Sequence, residues 1–509
     1  MPRVSALLAL LAGLTSALGF APLEWWPVTL AAFALWLWLV HNAPSLRTAL
    51  WHSWLFGVGH FTIGNNWIQH AFDFQDRMPP ALGYVAVVGL ALYLAIYPML
   101  AGGLAWRLGR RGERPNLGFV LIAGAGWIAT EYLRAVVMTG YPWNPVGAIW
   151  VPTPVRHLAA FTGTYALSGL TVAASAAILL PRSRVRYAVL VGLAVLMAGF
   201  AWMERPATPA VSSDAPRVRV VQPNAGKEEQ NQPGYDDRVF DTLVALSGRP
   251  GPVPRLVIWP EGAVNPPLED GYPPEWYPQS PFLLRTRIAE TLGSRDVALV
   301  GGTALFFDRQ RRIEGAGNSV FAITADARII GRYDKAHLVP GGEYLPLRSI
   351  LQPLGLSRLV MGDVDFRPGP GPATIAVPGF GDAGMQICYE IIFSGQVVDP
   401  THRPRFIVNP SVDSWYGSWG PPQHLAQARL RAVEEGLPVL RSTTTGISAV
   451  IDASGALVAT IPMRRADAIE VPIPAPHPPT PFARLGNWLA LAMIVLLSGL
   501  AIAIRRAAR

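Results

Sequence analysis

Cysteine and lysine are almost absent from this 509-residue chain: Cys388 is its single thiol, and Lys227 and Lys335 are its only lysines among many arginines. One cysteine excludes an intrachain disulfide and a cysteine-based zinc site. There is no His-x-x-x-His pair to make His337 or His424 a metal ligand. Charged residues are only 15% of the chain, against about a quarter in soluble domains, so much of the chain is expected to face lipid. A glycine-rich phosphate loop is missing too, since Gly301-Gly302 reads only as a turn after a strand, and no sequence repeat is visible. The net charge of +8 comes from arginines beside apolar segments. That suits membrane topology and argues against a nucleic-acid groove.

What the chain has is length for two or three domains and 51% hydrophobic residues. A membrane helix needs about 20 apolar residues. Stretches at 4–20, 27–40, 51–68, 81–106, 117–137, 158–180 and 187–203 read as helices, and another follows at 488–504. The first lacks a small-residue cleavage site and runs into Phe20-Ala-Pro-Leu-Glu-Trp-Trp, so a helical hairpin is expected rather than a cleaved signal. Arg47, then Arg107, Arg110, Arg111 and Arg114, then Arg182, Arg184 and Arg186, then Arg505, Arg506 and Arg509 follow alternate helices. Arg77 and Arg156 are exceptions in loops otherwise poor in basic residues. With about eight helices, the arginine-rich loops and both termini fall on one side, which is cytoplasmic by the positive-inside rule. The expected organisation is residues 1–204 as seven membrane helices, 205–482 as an extracytoplasmic domain, and 483–509 as a last helix with a basic tail.

The middle segment has a different texture. Short apolar, often β-branched runs at 218–221, 256–259, 297–300, 319–324, 373–377, 385–388, 406–408 and 449–451 alternate with turn-rich stretches and with helical patterns at 281–292 and 423–435. Strands alternating with helices predict a layered α/β domain. In such folds the carboxyl ends of strands carry reactive groups. Three residues occupy such ends: Glu261 after Leu256-Val-Ile-Trp-Pro, Lys335 within Gly331-Arg-Tyr-Asp-Lys, and Cys388 closing Gly384-Met-Gln-Ile-Cys. A thiol attacks as thiolate, a carboxylate can take its proton, and an ammonium favours both the thiolate and the oxyanion formed at an attacked carbonyl. The Tyr389 backbone N–H would be a second oxyanion donor.

Trp-Pro-Glu261, Tyr-Asp-Lys335-Ala-His-Leu and Cys388-Tyr-Glu resemble the Glu-Lys-Cys triad of the nitrilase (carbon-nitrogen hydrolase) superfamily. Val339-Pro-Gly-Gly-Glu-Tyr-Leu-Pro346, Asp413-Ser-Trp-Tyr-Gly417, Gly420-Pro-Pro-Gln-His424, Arg441-Ser-Thr-Thr-Thr-Gly446 and, in the membrane part, Leu18-Gly-Phe-Ala-Pro22 and Tyr141-Pro-Trp143 are similar to the apolipoprotein N-acyltransferases, the membrane members of that superfamily. The likeness spans essentially the whole chain. It implies a four-layer αββα domain outside the bacterial inner membrane. It also implies a ping-pong reaction: Cys388 takes an acyl chain from a phospholipid as a thioester and passes it to the amino group of the diacylglyceryl-cysteine of an apolipoprotein. Glu261 would be the base, Lys335 the oxyanion partner and Glu343 a second carboxylate; Tyr389 and Glu390 match positions beside the nucleophile. No cofactor and no metal are implied, and a monomer is expected. The family tryptophan soon after Gln222-Pro-Asn224 is missing, with Asn231 near its place.

Blander roles exist for each residue: a buried thiol, a turn carboxylate, a solvated lysine, a Glu343 paired only with arginine. The scarcity of lysine speaks for Lys335 doing what a planar guanidinium cannot. A Cys388–His424 dyad stands second to the triad. Glu131 and Arg134, one turn apart in a membrane segment, are expected to pair with each other. Trp415, Tyr416, Trp419 and the stretch 273–277 are expected to form mobile loops at the membrane interface. Competing functions are a membrane-anchored nitrilase-type amidase, for which seven helices are excessive as an anchor, and a transporter or scaffold, which would not need the thiol.

Overall fold

The computed structural model describes residues 2–74, 78–181, 184–203, 215–360 and 364–507. Arg77, Arg182, Arg509 and Glu204 lie outside the described residues. The helical part comprises α1 (Pro2–Ser16), α2 (Trp26–His41), α3 (Leu46–Gly64), α4 (Leu82–Leu94), α5 (Ile96–Leu104), α6 (Leu117–Val136), α7 (Ala159–Ala177) and α8 (Arg184–Met203). Small residues let these helices approach closely. A Cβ on Gly13 of α1 would stand 2.0 Å from the Phe56 carbonyl oxygen of α3. The run expected at 81–106 is divided at Ala95, where α4 gives way to α5. Pro98 has no N–H to return to the Leu94 carbonyl, so the α-helical ladder cannot pass through unbroken. Among the described residues, four helical stretches are long and apolar enough to cross a bilayer: Leu82–Gly109, Leu117–Thr139, Pro154–Ala177 and Trp488–Ala507. The first two apolar runs form shorter helices.

The middle of the chain folds into two six-stranded sheets. Its strands are β1 (Arg217–Gln222), β2 (Arg255–Ile258), β3 (Val297–Phe307), β4 (Ile313–Thr324), β5 (Ile329–Asp334), β6 (Ala373–Val377), β7 (Gly381–Met385), β8 (Phe406–Ser411), β9 (Val439–Thr443), β10 (Ser448–Ile451), β11 (Leu457–Ile461) and β12 (Asp467–Pro472). One sheet has the order β12-β1-β2-β3-β4-β5, the other β11-β10-β9-β8-β7-β6. Each has a parallel centre, β1-β2-β3 and β7-β8-β9, flanked by antiparallel strands. Alternation along the strands decides what each face meets. Val218, Val220, Leu256 and Ile258 share a buried core with Met385, Val408 and Leu440 of the other sheet. Val221, Val257 and Trp259 point the opposite way, onto Phe240 and Leu243 of α9 (Tyr235–Ser247) and Leu284 and Ile288 of α10 (Pro281–Ala289).

After the short α11 (Arg348–Leu351), helix α12 (Gly420–Glu435) closes the other side. Leu425, Ala428 and Ala432 belong to the buried cluster that includes the second sheet's strands, while Ala426, Leu430 and Val433 pack on Ile149, Trp150 and Leu167 of the helical part. The layers are therefore helix, sheet, sheet, helix, with α12 shared. Chain then returns through α13 (Pro481–Leu485) to α14 (Trp488–Ala507), which lies along α6 and α7.

The α12 seam is polar at its centre. Glu434 accepts from the Thr164 N–H at 2.7 Å, the Thr164 hydroxyl at 2.6 Å and the Ser394 hydroxyl at 2.7 Å, and pairs with Arg431 at 2.9 Å. Both charged side chains are buried. Removing one partner of a buried pair leaves the other charge uncompensated. Glu434→Ala is accordingly expected to destabilise the protein by about 3–5 kcal/mol, read as a lowered thermal midpoint; an unchanged midpoint would show that the seam is held by its apolar contacts alone.

Candidate active site

Glu261, Lys335 and Cys388 follow the carboxyl ends of β2, β5 and β7, and all three line one cavity of about 1290 Å³. Lys335 is buried to 1% exposure. Its ammonium lies 2.9 Å from Glu343 and 3.5 Å from Glu261. Burial works against this charge, but Glu343, Glu261 and Cys388 together outweigh it and hold the lysine pKa above its ordinary value. Glu261 accepts the Val412 N–H at 2.7 Å and the Asn318 amide at 2.6 Å. The same Asn318 amide donates to Glu343 at 3.1 Å, and the Val339 N–H reaches Glu343 at 2.8 Å. Two carboxylates thus share one ammonium and one amide, and every member is fixed from behind.

Cys388 opens a short 3₁₀ helix (Cys388–Ile392) with a φ of +52°. That left-handed backbone is costly for a residue with a Cβ. Its carbonyl is gripped by His424 Nε2 at 3.1 Å and by the Asn409 amide at 3.3 Å. The first N–H groups of a helix have no acceptor within it, and Tyr389, the residue after Cys388, stands in that first turn. Burial, then the Glu261 charge, push the Cys388 thiol up to about 12, against the opposing pull of Lys335. At rest the sulfur therefore keeps its proton.

Two hydroxyls reach Sγ, Tyr416 and Ser411, each at 3.2 Å. The Ser411 hydroxyl also lies 2.7 Å from Asp413. Burial opposes the Asp413 charge, but Arg441, His424 and Ser411 prevail and hold its carboxyl below the usual range. The single Ser411 hydrogen goes to that carboxylate, so Ser411 turns a lone pair toward sulfur. Tyr416 is then the hydroxyl with a hydrogen to give to a thiolate. A hydrogen bond to a charged group contributes about 1.5–3 kcal/mol. Tyr416→Phe, which keeps the ring between Trp67 and Trp143, is expected to slow thioester formation about tenfold to a hundredfold in single-turnover assays. No change would mean that another group stabilises the sulfur.

Several expectations need correction. Tyr416 is not part of an outward-facing loop: it is 5% exposed, because its ring fills the space between the helical part and the thiol. Trp415 lines the cavity beside Phe74. The His424 dyad does not form. Its Nε2 donates to the Cys388 carbonyl, while Nδ1 faces Asp413 at 3.1 Å and Arg441 at 3.0 Å. Burial, then the Arg441 charge, depress its pKa and so favour the neutral imidazole. Glu390 faces away from the cavity. It receives Tyr333 Oη at 2.9 Å, Ala336 N at 2.7 Å, His337 N at 3.0 Å and Ile387 N at 2.6 Å, which ties the Lys335 loop to the Cys388 turn. The expected Glu131–Arg134 pair does form, at 3.7 Å, and Arg134 adds two shorter bonds, 2.8 Å each, to the Tyr141 and Trp143 carbonyls. The pair secures the connection after α6 rather than only itself. Asn318 and Ser411 were not singled out in the sequence; Asn318 stands in β4 just before the run Ser319–Thr324.

The cavity has two characters. Near the triad it is polar, with Asn231, Asp236, Asn265, Thr303 and Asn318. Its other limb is lined by Leu82, Val85, Leu90, Val137 and Met138 of the helical part. Val85 and Met138 are also 63% and 67% exposed, so this limb reaches the outer surface of the helices. A buried thiol beside Glu and Lys at strand ends of a helix-sheet-sheet-helix domain defines a carbon-nitrogen hydrolase fold, here joined to a membrane domain. Residues 248–475 match the carbon-nitrogen hydrolase model, and residues 12–177 match that of the apolipoprotein N-acyltransferase N-terminal domain. Proteins named apolipoprotein N-acyltransferase are similar along nearly the whole chain. That of Rhodopseudomonas palustris is 33% identical over 96% of this chain and 93% of its own. That of Bradyrhizobium diazoefficiens is 35% identical over 99% and 96%. That of Caulobacter vibrioides is 34% identical over 96% and 92%. The chain belongs to the apolipoprotein N-acyltransferase family.

Proposed function

We propose that this protein carries out the last step of bacterial lipoprotein maturation, moving an acyl chain from a membrane phospholipid through a thioester on Cys388 to the amino group of a diacylglyceryl-cysteine. The supporting observation is the single cavity with Cys388, Lys335 and Glu261 at one end and an apolar limb open to the outer surface of the helices at the other. The donor ester sits at the bilayer surface and the acceptor is lipid-anchored, so both reach the thiol without leaving the membrane.

In the acylation half, Sγ attacks the ester carbonyl and its proton passes to Glu261. The oxyanion faces the Lys335 ammonium and the Tyr389 N–H. Glu261 returns the proton to the departing lysophospholipid oxygen, leaving the thioester. The acceptor amine then attacks that carbonyl, gives a proton to Glu261, and the protonated thiol leaves. Glu343 keeps Lys335 aimed, and Glu390 holds the two loops in register. Residues 1–204 would supply seven of about eight membrane helices and residues 483–509 the last, with the domain at 205–482 on the extracytoplasmic side of the inner membrane and the chain acting as a monomer.

Mass spectrometry of the protein incubated with phospholipid should find one acyl group on Cys388, discharged onto a diacylglyceryl-cysteine peptide. Release chiefly as free fatty acid would make the protein a hydrolase instead.

A further inference from the structure

Three polar side chains that do not line the cavity converge behind Cys388: His424 of α12, Asn409 of β8 and Arg441 of β9. All three are fully buried, where a polar group costs free energy unless its bonds are made. Asn409 and Arg441 are register partners across β8 and β9. The guanidinium donates to the Asn409 amide oxygen, which turns the Asn409 amide nitrogen toward the Gln386 carbonyl at 2.7 Å and the Cys388 carbonyl at 3.3 Å. It also donates to Asp413 at 2.6 Å and to His424 Nδ1 at 3.0 Å. His424 then carries its hydrogen on Nε2, which reaches the Cys388 carbonyl at 3.1 Å, since a carbonyl can only accept. One guanidinium thus orients two donors on one oxygen.

That oxygen belongs to the peptide that joins Cys388 to Tyr389. The peptide is planar and trans, so its C=O and N–H point opposite ways. Holding the carbonyl back toward α12 and β8 therefore aims the Tyr389 N–H away from them. Cys388 and Tyr389 both line the cavity, and the Tyr389 N–H meets no acceptor among the described residues. A hydrogen bond on a carbonyl also polarises its amide and strengthens the N–H as a donor. Trp143 of the helical part packs on the imidazole with ring centres 5.5 Å apart, so the aim of this peptide draws on both parts of the chain.

We propose that His424 is a positioning residue for the oxyanion: with Asn409, and held by Arg441, it fixes the Cys388–Tyr389 peptide so that the Tyr389 N–H faces the oxygen that becomes negative when the thiol attacks. His424 does this without touching the sulfur or the substrate. Its role rests on the thioester reaction proposed for Cys388 and adds to that reaction a residue outside the triad.

The test compares two reactions of the same sulfur in the full chain, both read by intact mass. Thioester formation from an ester phospholipid passes through an oxyanion. Modification by methyl methanethiosulfonate does not: Sγ bonds to the methylthio sulfur, methanesulfinate leaves with the electron pair, and no carbonyl takes part. His424→Phe keeps a ring against Trp143 and loses the donor. It is expected to slow thioester formation about tenfold to a hundredfold, below the roughly 10²–10³-fold cost of losing an oxyanion donor outright, while the modification rate stays within about twofold of the unaltered protein. His424→Gln, whose amide nitrogen can stand where Nε2 does, is expected to recover most of the acylation rate. Equal slowing of both reactions in His424→Phe would overturn the role by tying His424 to the thiol or the fold. Unchanged acylation in that variant, or a glutamine variant no faster than the phenylalanine one, would overturn it as well. An unaltered protein that forms no thioester would defeat the acyltransfer reaction and this role with it, whereas a failure confined to the His424 variants defeats the role alone.

Discussion

Glu261→Gln is expected to slow thioester formation about 10³-fold while making the Cys388 thiol more acidic. The two effects oppose each other, which gives the experiment its force. The thiol sits near 12 because it is buried and because the Glu261 charge faces it. At neutral pH the free thiolate is then a rare species. A route through preformed thiolate would be slow, and removing the opposing carboxylate charge would speed it. A route in which Glu261 takes the proton during attack would instead lose the factor of about 10²–10⁴ that general bases supply. Because Cys388 is the one thiol, the difference in ultraviolet titration between each protein and its Cys388→Ser counterpart reports this sulfur alone. A glutamine variant with a lowered thiol pKa and an equal or faster acylation rate would remove Glu261 from the role of base. Cys388→Ser itself should form no acyl-enzyme, since a hydroxyl in the same place is a far weaker acid.

Two strand ends were readable because Glu261 and Cys388 follow largely apolar runs, Leu256–Ile258 and Gly384–Ile387; Lys335 follows the polar Arg332-Tyr-Asp and was marked by its motif. The two-sheet arrangement was not readable from those runs alone. β6 to β11 order themselves by pairings between residues far apart, as when Ala383 meets Phe406 and Ile407 meets Val439, and composition carries no record of such partners. Tyr416 shows a different limit. Trp415-Tyr416 looks like an aromatic pair for a membrane interface, yet its site beside the thiol depends on Trp67 and Trp143 from the helical part. Asn318 was missed for the same reason: its worth lies in bridging Glu261 and Glu343, which only the folded chain brings together.

Lys335→Met should cost more than activity. Among the described residues the ammonium is the one positive charge that pairs with both Glu261 and Glu343, and without it two buried carboxylates face each other across Asn318. Like charges at that range do not both stay ionised cheaply, so one takes up a proton. If Glu261 takes it, the base is lost; if Glu343 does, the oxyanion partner is still missing. Acylation is therefore expected to fall by about 10³-fold or more, and unfolding to be easier by about 3–5 kcal/mol at neutral pH. The pH dependence follows from the sign of each shift. In the unaltered protein the lysine pKa is raised, so its contribution is complete below about 10.4 and lost only as pH climbs through the higher folded value. In the variant the folded state holds a carboxyl proton that the unfolded chain releases above about 4.3, so stability drops as pH rises from there. The thermal midpoint of Lys335→Met, relative to the unaltered protein, should recover between pH 8 and pH 5, roughly the range where that extra proton binds. Lys335→Arg would keep the charge but has to fit a planar fork into a site that leaves lysine 1% exposed, so it is expected to restore the midpoint only in part and the acylation rate hardly at all. An arginine variant with near-normal turnover would mean that positive charge alone, and not a compact ammonium aimed by Glu343, is what the thiol requires.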